Sequence, residues 1–329
     1  MLTHIDKEIL INAYQIYRKG NLQKSRDAIH FLSFINSESN VRIYGTDNLE
    51  KNNILSPFLA GRGKTEIKPV SCKFSECKVE IDPDNPYQLF FLDVEDKGQR
   101  EKLEKEIKYL LAFKDNYENV FEEFKSEPPI TVDKDGNVDE YDELMLLKSW
   151  EQILPDLPIT EIVISDPYIL IDDEQLPLEN NLFSLLTAIK TKYEIKSILV
   201  FTTIKDINEL YSIRQKAQKI FGHKTICGFI LFQEEEEQHD RHIITNYKHI
   251  KLGSSGRYFG KDGNINVKKK SSINTHSYYQ KKHFQEASNT LNGLNKTLKG
   301  LQLKGKLPGF IKSRLLDYNN FSNNEKTQP

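Results

Sequence analysis

The chain is poor in cysteine and has no long apolar run. It holds three cysteines among 329 residues, and no second Cys or His pair at zinc-finger spacing follows Cys72 and Cys77. This predicts ordinary thiols in a reducing cytoplasm and argues against a disulfide scaffold. No run approaches the ~18 apolar residues of a membrane span. The N-terminal stretch Met1–Glu8 lacks the basic and apolar regions of a secretory signal, so none is expected.

Charge is unevenly distributed along the chain. The sequence has 46 basic and 48 acidic residues, a net charge of −2. Residues 248–329 contain 16 Lys and Arg against 4 Asp and Glu, which leaves 30 basic and 44 acidic residues in 1–247. This asymmetry indicates a polyanionic partner or an acidic protein surface. An equally good explanation is that the basic third pairs with the acidic body of the same chain.

The N-terminal half is predicted to form an α+β or helical domain over residues 1–155. Apolar spacing indicates two helices within 5–35, and a stretch rich in Glu, Lys and Leu indicates a long solvated helix over 97–126. Prolines at 155 and 158 suggest a domain boundary. The other predicted elements are strands at 41–45, 66–72 and 87–94, a loop at 127–138 and a helix at 139–153.

The second half alternates between strand and helix patterns. Nearly continuous apolar runs suit strands covered on both faces, and helical crossovers make such strands parallel. We therefore predict an α/β domain over 156–305 and a C-terminal tail over 306–329. The predicted strands are 161–165, 196–203, 225–232 and 239–246, and the predicted helices are 179–193, 205–221 and 276–300.

One segment of the second half carries polar residues at a distinctive spacing. His239 and Arg241 are followed by Asn246 and then by Gly253 and Ser254, which reads H-x-R, four residues, N, six residues, G-S. On a strand, residues i and i+2 share a face, so the imidazole and the guanidinium project together. A glycine permits close backbone approach, and a serine adds a hydroxyl donor.

This spacing resembles the signature of the phospholipase D superfamily. That signature is H-x-K, four residues, D, six residues, G-S, then two residues and N. The present sequence has Arg241 for the lysine, Asn246 for the aspartate and Arg257 for the final asparagine. The resemblance implies a mixed sheet with flanking helices, with Asp166 at the end of one strand, and a chemistry that needs neither a metal nor another cofactor.

The resemblance also implies roles for individual residues. In the family, the histidine attacks phosphorus to form a phosphohistidine, and the adjacent cation neutralises the non-bridging oxygens. His239 and Arg241 match these positions, while Asn246 would orient the imidazole and Ser254 would donate a hydrogen bond. The phosphate-binding residues that it implies are Lys251, Gly253 and Arg257.

The family's active site combines two such motifs, with one histidine as nucleophile and the other as general acid. A single copy is present here, so an active enzyme would pair two His239 residues in a homodimer; His276 is the remote internal alternative. A neutral Asn246 cannot stabilise an imidazolium, which lowers the expected reactivity. The segment is also similar to the non-catalytic, phosphoinositide-binding C-terminal domain of MIT-domain proteins, and to bacterial proteins linked to phage defence.

A basic stretch follows the motif. Lys268, Lys269 and Lys270 could track a nucleic-acid backbone while Tyr278 and Tyr279 stack on bases. The alternative is an exposed basic face whose tyrosines anchor the predicted helix at 276–300.

Three functions are therefore consistent with the sequence. The first is a metal-independent phosphodiesterase, with nucleic acid as the favoured substrate, acting as a homodimer and serving in bacterial antiviral defence. The second is a non-catalytic module that binds phosphate or nucleic acid, favoured by Asn246 and Arg257. The third is an assembly subunit that docks a partner protein through the acidic N-terminal half.

Overall fold

The computed structural model describes residues 1–20, 22–46, 66–77, 81–135, 145–171, 174–203, 207–232, 241–303 and 313–318. It divides into two compact units. Unit 1 comprises Met1–Ser126 and Tyr278–Lys282, and unit 2 comprises Glu127–Ser277 and His283–Pro329. Both combine helices with parallel or mixed sheets, so the predicted α/β class is confirmed. Within the described ranges, no helix combines the length and apolar content needed to cross a membrane.

Unit 1 is built on a five-stranded sheet in the order β3-β2-β1-β4-β5, in which every neighbouring pair is parallel. Helices form the crossovers from the first strand to the second and from the fourth to the fifth, as parallel pairing requires. The strands are β1 (Leu2–Asp6), β2 (Asn40–Tyr44), β3 (Ile67–Val70), β4 (Gln88–Leu92) and β5 (Leu110–Phe113). The helices are α1 (Lys7–Arg18), α2 (Leu22–Ser37), α3 (Lys97–Glu106) and α4 (Tyr117–Lys125), with a short 3-10 turn at Phe74–Glu76.

The all-parallel sheet makes unit 1 an α/β unit, whereas the sequence predicted α+β or helical. The predicted pair of helices and the three predicted strands are confirmed, but β1 was missed. The predicted helix over 97–126 was wrong, because the apolar run Leu110–Phe113 forms β5 between α3 and α4. This run is almost entirely buried, which a single solvated helix would not allow.

Aromatic side chains form much of the core of unit 1. Phe31 packs edge-on against Phe91 and Phe121, with ring centroids 5.1 Å apart in both pairs. Phe34 stacks on Tyr279 at 5.9 Å, so the segment Tyr278–Lys282 contributes to this core. Burying each ring stabilises the fold by roughly 1.5–3 kcal/mol.

The two cysteines of unit 1 are bonded to each other. Cys72 and Cys77 form a disulfide with Cα atoms 5.9 Å apart, just after β3. The prediction of two ordinary thiols was wrong, since spacing along the chain could not show that a turn brings the two side chains together. Cys227, in unit 2, is a free thiol.

Unit 2 is built on an eight-stranded mixed sheet in the order β10-β9-β8-β11-β12-β13-β6-β7. Its strands are β6 (Ile130–Val132), β7 (Met145–Leu146), β8 (Glu161–Ser165), β9 (Ser197–Thr202), β10 (Ile226–Leu231), β11 (Arg241–Thr245), β12 (Lys248–Leu252) and β13 (Ser271–Ser277). Its helices are α5 (Ser184–Lys192), preceded by a π-turn at Glu179–Phe183, α6 (Ile207–Phe221) and α7 (Lys281–Leu303), with a 3-10 turn at Trp150–Ile153.

The sheet of unit 2 changes character at β8. On one side, β8, β9 and β10 are parallel and are joined by α5 and α6. On the other side, antiparallel pairings join β8, β11, β12, β13 and β6 in that order, and β7 pairs parallel to β6 at the edge. All five residues of β8 are buried, as expected for a strand covered on both faces.

One predicted domain boundary and two predicted secondary-structure elements differ from the structure. The sequence placed the domain boundary at residue 155, but β6 pairs with β13, so the chain from Glu127 onward belongs to unit 2. A helix was predicted over 139–153; residues 136–144 lie outside the described part, and Met145–Leu146 is a strand. β13 was also missed, because its alternating pattern was assigned partly to a helix starting at 276.

The C-terminal turn at 313–318 is tied to β8 by a buried ion pair. Arg314 Nε lies 2.8 Å from the Glu161 carboxylate, and Glu161 also accepts a hydrogen bond from the Ser197 hydroxyl. The Arg314 Nη2 group donates to Thr160 Oγ1 at 3.2 Å. This contact places part of the predicted 306–329 tail against the sheet of unit 2.

Candidate functional site

The hairpin of β11 and β12 brings the two ends of the predicted motif together. Arg241 is the first residue of β11 and pairs in register with Leu252, the last residue of β12. Gly253 and Ser254 therefore leave the sheet beside the start of β11. The spacing of twelve residues between Arg241 and Gly253 is the length of one hairpin, and this explains why the motif elements stand so far apart in the sequence.

His239 and Asp240 lie outside the residues that the structure describes. The predicted pairing of the His239 imidazole with the Arg241 guanidinium thus stays a prediction. The described part of the site consists of Arg241, the end of β8 and the loop that follows β12.

Asp166 organises that loop. It follows β8 directly, is fully buried, and accepts the backbone N–H of Gly256 at 2.6 Å and that of Tyr168 at 2.9 Å. The Ser255 hydroxyl lies 3.0 Å from both carboxylate oxygens. Burial raises the pKa of Asp166, and the hydrogen bonds and the charge of Arg241 oppose the shift. Sequence reasoning noted Asp166 as a strand end, and the structure shows that it holds the loop in place.

Arg241 lies beside this carboxylate. Its guanidinium carbon is 5.4 Å from the centroid of the Tyr168 ring, a cation–π distance. Its Nε atom is buried and has no hydrogen-bond partner among the described residues. A planar guanidinium with an unused N–H suits a bound anion, because arginine binds phosphate oxygens through two parallel donors.

The other predicted residues of the loop are half-buried. The backbone carbonyl of Ser254 accepts a hydrogen bond from the Tyr258 hydroxyl at 3.2 Å, and the Ser254 side chain is also hydrogen-bonded to this phenol. The Arg257 Nη2 group lies 3.5 Å from the carbonyl of Leu176. Both residues therefore belong to the loop that follows β12 and is held by Asp166.

Gly253 is required by its packing. A Cβ atom at this position would lie 2.6 Å from both Ser271 Oγ and the Ser272 carbonyl oxygen. The backbone N–H of Gly253 donates a hydrogen bond to that same carbonyl. The sequence predicted close backbone approach here, which is what the structure shows. The close neighbour is β13, so packing within the sheet explains the absence of a side chain at Gly253.

Asn246 occupies the opposite end of the hairpin. Its side chain is fully buried, and Oδ1 accepts the backbone N–H of Thr160 at 3.2 Å. Its Nδ2 lies 3.5 Å from the carbonyl of Pro158. The amide is thus engaged with the segment that enters β8, which accounts for an asparagine at this position without an imidazole partner.

Lys251 faces away from Arg241. It pairs in register with His242, and successive side chains on a strand alternate between faces. Its ammonium is 2.8 Å from Glu286 on α7. Lys251 therefore lies on the face of the sheet opposite to Arg241. A phosphate bound at Arg241 would not be in contact with Lys251.

Lys268, Lys269 and Lys270 are exposed in the segment before β13. The two tyrosines predicted to act with them do not stand free. Tyr278 is 1% exposed and Tyr279 packs on the aromatic core of unit 1. Base stacking by these rings is therefore ruled out in this conformation. Both tyrosines instead anchor the chain by packing, which is the alternative that the sequence left open.

A row of histidines crosses the face of the sheet opposite to Arg241. His249 Nε2 lies 3.0 Å from His242 Nδ1, and the His276 and His283 rings are 4.5 Å apart. Burial, with the nearby charges of other histidines and Lys251, lowers the pKa of His249 to about 2. Sequence reasoning missed this row, because the four residues come from three strands and a helix whose register only long-range pairing sets. The His-x6-His spacing of 242 and 249 would have been the only signal.

The comparisons with known proteins add no family to this picture. No model of a known protein family matches the chain, and no curated protein matches it.

Proposed function

We propose that unit 2 is a phospholipase-D-like module that binds a phosphodiester at the Arg241 end of the β11–β12 hairpin, with nucleic acid as the ligand. The observation that carries the proposal is the register of this hairpin, which places Arg241 next to the loop held by Asp166. Arg241, whose buried Nε has no partner among the described residues, and the Ser254 and Arg257 side chains of that loop form a set of donors suited to phosphate.

The surrounding charge supports a polyanion over a single phosphate. The exposed Lys268–Lys270 stretch leads into the neighbouring strand, and residues 248–329 carry a large excess of positive charge. A protein that neutralises several phosphates releases counterions, so its affinity falls steeply with salt. A lone phosphate ester would not produce such a dependence.

Fluorescence anisotropy with labelled single- and double-stranded DNA and RNA tests this proposal. Arg241→Gln is expected to weaken binding by about tenfold or more, as loss of a bidentate phosphate contact does, and to reduce the salt slope by about 1. Arg241→Lys should retain much of the affinity, because it keeps the charge. Lys219→Gln, an exposed cation on α6, is the matched control.

Equal affinities of the Arg241→Gln and Lys219→Gln variants would contradict the proposal. Binding that does not change between low and high salt would contradict the nucleic-acid part of it and leave the docking of a partner protein as the better explanation.

Hydrolysis of the bound phosphodiester is a second candidate, favoured by the position of His239 two residues before Arg241. An imidazole nitrogen would form a bond to phosphorus as the ester oxygen leaves and takes up a proton. Water would then cleave the P–N bond. The acid and base of these steps would come from His239 of a second copy, so activity would require a homodimer.

A nuclease panel with EDTA present separates cleavage from binding. Cleavage by the wild type that His239→Ala abolishes, with nucleic-acid affinity retained, would establish the enzyme. Absence of cleavage in both, with binding that depends on Arg241, would establish the non-catalytic role. A homodimer by light scattering is expected only in the first case.

A further inference from the structure

Among the residues that the structure describes, one group combines two histidines and a carboxylate at metal-binding distances. Glu127, His276 and His283 each offer one ligand atom, and these atoms all lie within 4.8 Å of one another. All three residues belong to unit 2. The sequence predicted no metal, because the implied phosphodiester chemistry needs none. These three residues come from the start of unit 2, from β13 and from α7, so their spacing along the chain does not mark them as a group.

The group is already ordered by hydrogen bonds. His283 Nδ1 is 3.1 Å from Glu127 Oε1 and 3.3 Å from the Ser277 carbonyl oxygen. Glu127 Oε1 also accepts the backbone N–H of Ser277 at 2.5 Å. A metal-ligating histidine commonly donates its second ring N–H to a carboxylate or a carbonyl, which fixes the ring. The Ser277 carbonyl is placed to do this for His283.

The neighbouring histidine adds an independent observation. His249 is 1% exposed, pairs in register with His276, and its ring centroid lies 6.5 Å from that of His276. Its Nδ1 atom is buried and has no hydrogen-bond partner among the described residues. A buried imidazole nitrogen left unused beside the group indicates that this face of the sheet is built around polar chemistry and is not filled by core packing alone.

We propose that Glu127, His276 and His283 bind one divalent transition-metal ion, with zinc as the favoured ion. Two imidazoles and one carboxylate form the nitrogen and oxygen set that zinc accepts in a tetrahedral site, with water as the fourth ligand. The hard cations calcium and magnesium prefer sites made of oxygen ligands alone and should bind weakly.

The ion would connect three parts of unit 2. Glu127 stands just before β6, His276 lies in β13 and His283 lies in the first turns of α7. Binding would therefore hold α7 to the antiparallel side of the sheet and stabilise the folded state. The site lies on the face of the sheet opposite to Arg241, so the inference is independent of the proposed phosphate site.

Isothermal titration of zinc chloride into the full chain tests the inference. The protein would carry no affinity tag and would be freed of metal with EDTA, which is then removed. One zinc ion per chain is expected to bind and to raise the unfolding temperature. His276→Ala and Glu127→Gln are each expected to weaken binding by more than about 100-fold, since even loss of an outer partner costs 10–100-fold.

His223→Ala is the matched control, because His223 is an exposed histidine of unit 2 outside the group. Its zinc affinity should equal that of the wild type. Cobalt would replace zinc for a spectroscopic check, with an intense visible absorption expected for a four-coordinate site and its loss expected in His276→Ala.

Two results would overturn the inference. The first is the absence of a zinc isotherm in the wild type. The second is an isotherm that Glu127→Gln and His276→Ala leave unchanged. Glu127→Gln keeps the shape of the side chain, so it gives a clear answer even if His276→Ala fails to fold. Failure here leaves the phosphate proposal standing, because Arg241→Gln does not touch this face.

Discussion

Gly256 donates its backbone N–H to the Asp166 carboxylate at 2.6 Å and so joins two residues that are 90 positions apart in the chain. The same carboxylate accepts from Tyr168 and Ser255. All three donors face an acceptor that is fully buried, so the conformation of the loop after β12 depends on this one carboxyl side chain.

Replacing Asp166 with asparagine should destabilise unit 2 by roughly 2 kcal/mol or more. An amide NH₂ would point at N–H and O–H donors, and a hydrogen bond to a charged group is worth about 1.5–3 kcal/mol. Urea unfolding followed by the fluorescence of Trp150 measures this, because it is the one tryptophan of the chain and lies in unit 2. Asp156→Asn, at an exposed ion pair, should cost less than about 1 kcal/mol. A shift no larger than this control would contradict the anchoring role.

Gly253→Ala should destabilise unit 2 by about 1–3 kcal/mol, the range for a methyl group forced into a packed site. The new Cβ would meet the Ser272 carbonyl oxygen at 2.6 Å, and backbone cannot move aside as a flexible side chain can. Gly300→Ala in α7 is a control of opposite sign. That position has no atom within 4 Å of the added Cβ, and alanine favours a helix by about 1 kcal/mol. Equal effects of the two substitutions would contradict the close approach of β13.

Arg314→Ala should cost about 3–5 kcal/mol, as removal of one partner from a buried ion pair does. Glu161 is 2% exposed on its side chain and would be left buried without its cationic partner. The same unfolding measurement applies, with Lys219→Ala expected to stay within about 0.5 kcal/mol of the wild type. Loss of less than about 1 kcal/mol would show that the 313–318 turn does not stabilise β8.

His4 should make the stability of unit 1 depend on pH. Burial, and then the charge of Arg42, lower its pKa from 6.5 to about 4, with a hydrogen bond to Gln88 acting in the opposite direction. Its Nδ1 is 2.8 Å from the Tyr44 hydroxyl and its ring stacks on Phe90 at 4.5 Å. The unfolded chain binds the proton more tightly, so stability should fall as pH drops from 6.5 toward 4, by about 1.4 kcal/mol per pH unit.

An NMR titration of the His4 ring protons measures that pKa directly. Unfolding of unit 1 followed by amide hydrogen exchange at several pH values measures the linked stability, and His4→Gln should flatten its dependence over this window. Titration of His4 near 6.5 would contradict the burial argument.

Local sequence pattern predicted most elements of unit 2, because its strands are short apolar runs separated by amphipathic helices. The local pattern missed β5 in unit 1 and β13 in unit 2, for different reasons. Leu110–Phe113 lies between two charged segments that together resemble one long helix. Ser271–Ser277 alternates polar with buried residues and contains only one large apolar side chain, Ile273, so nothing local marks it as a strand.

The candidate site shows the same limit. The resemblance to the phospholipase D signature implied that Arg241 lies near Gly253 and Ser254, and the β11–β12 hairpin accounts for their spacing. The face on which Lys251 points depends on the register with β11, and the partner of Asn246 lies 86 residues away. Neither is encoded locally. The complete row of histidines forms only when three strands pair and a helix packs against them.

Unit 1 is discontinuous, and this has a consequence for how the chain is made. Its core includes Tyr278, whose ring packs edge-on against Tyr87, and Tyr279, which stacks on Phe34. A ribosome releases the chain from its N-terminus, so the first 126 residues emerge long before this pair of tyrosines. Unit 1 is then complete only after the Glu127–Ser277 part of unit 2 has been synthesised and its last two aromatic rings have followed. In any fragment that ends before Tyr278, the rings of Tyr87 and Phe34 would lack the aromatic neighbours that cover them in the full chain.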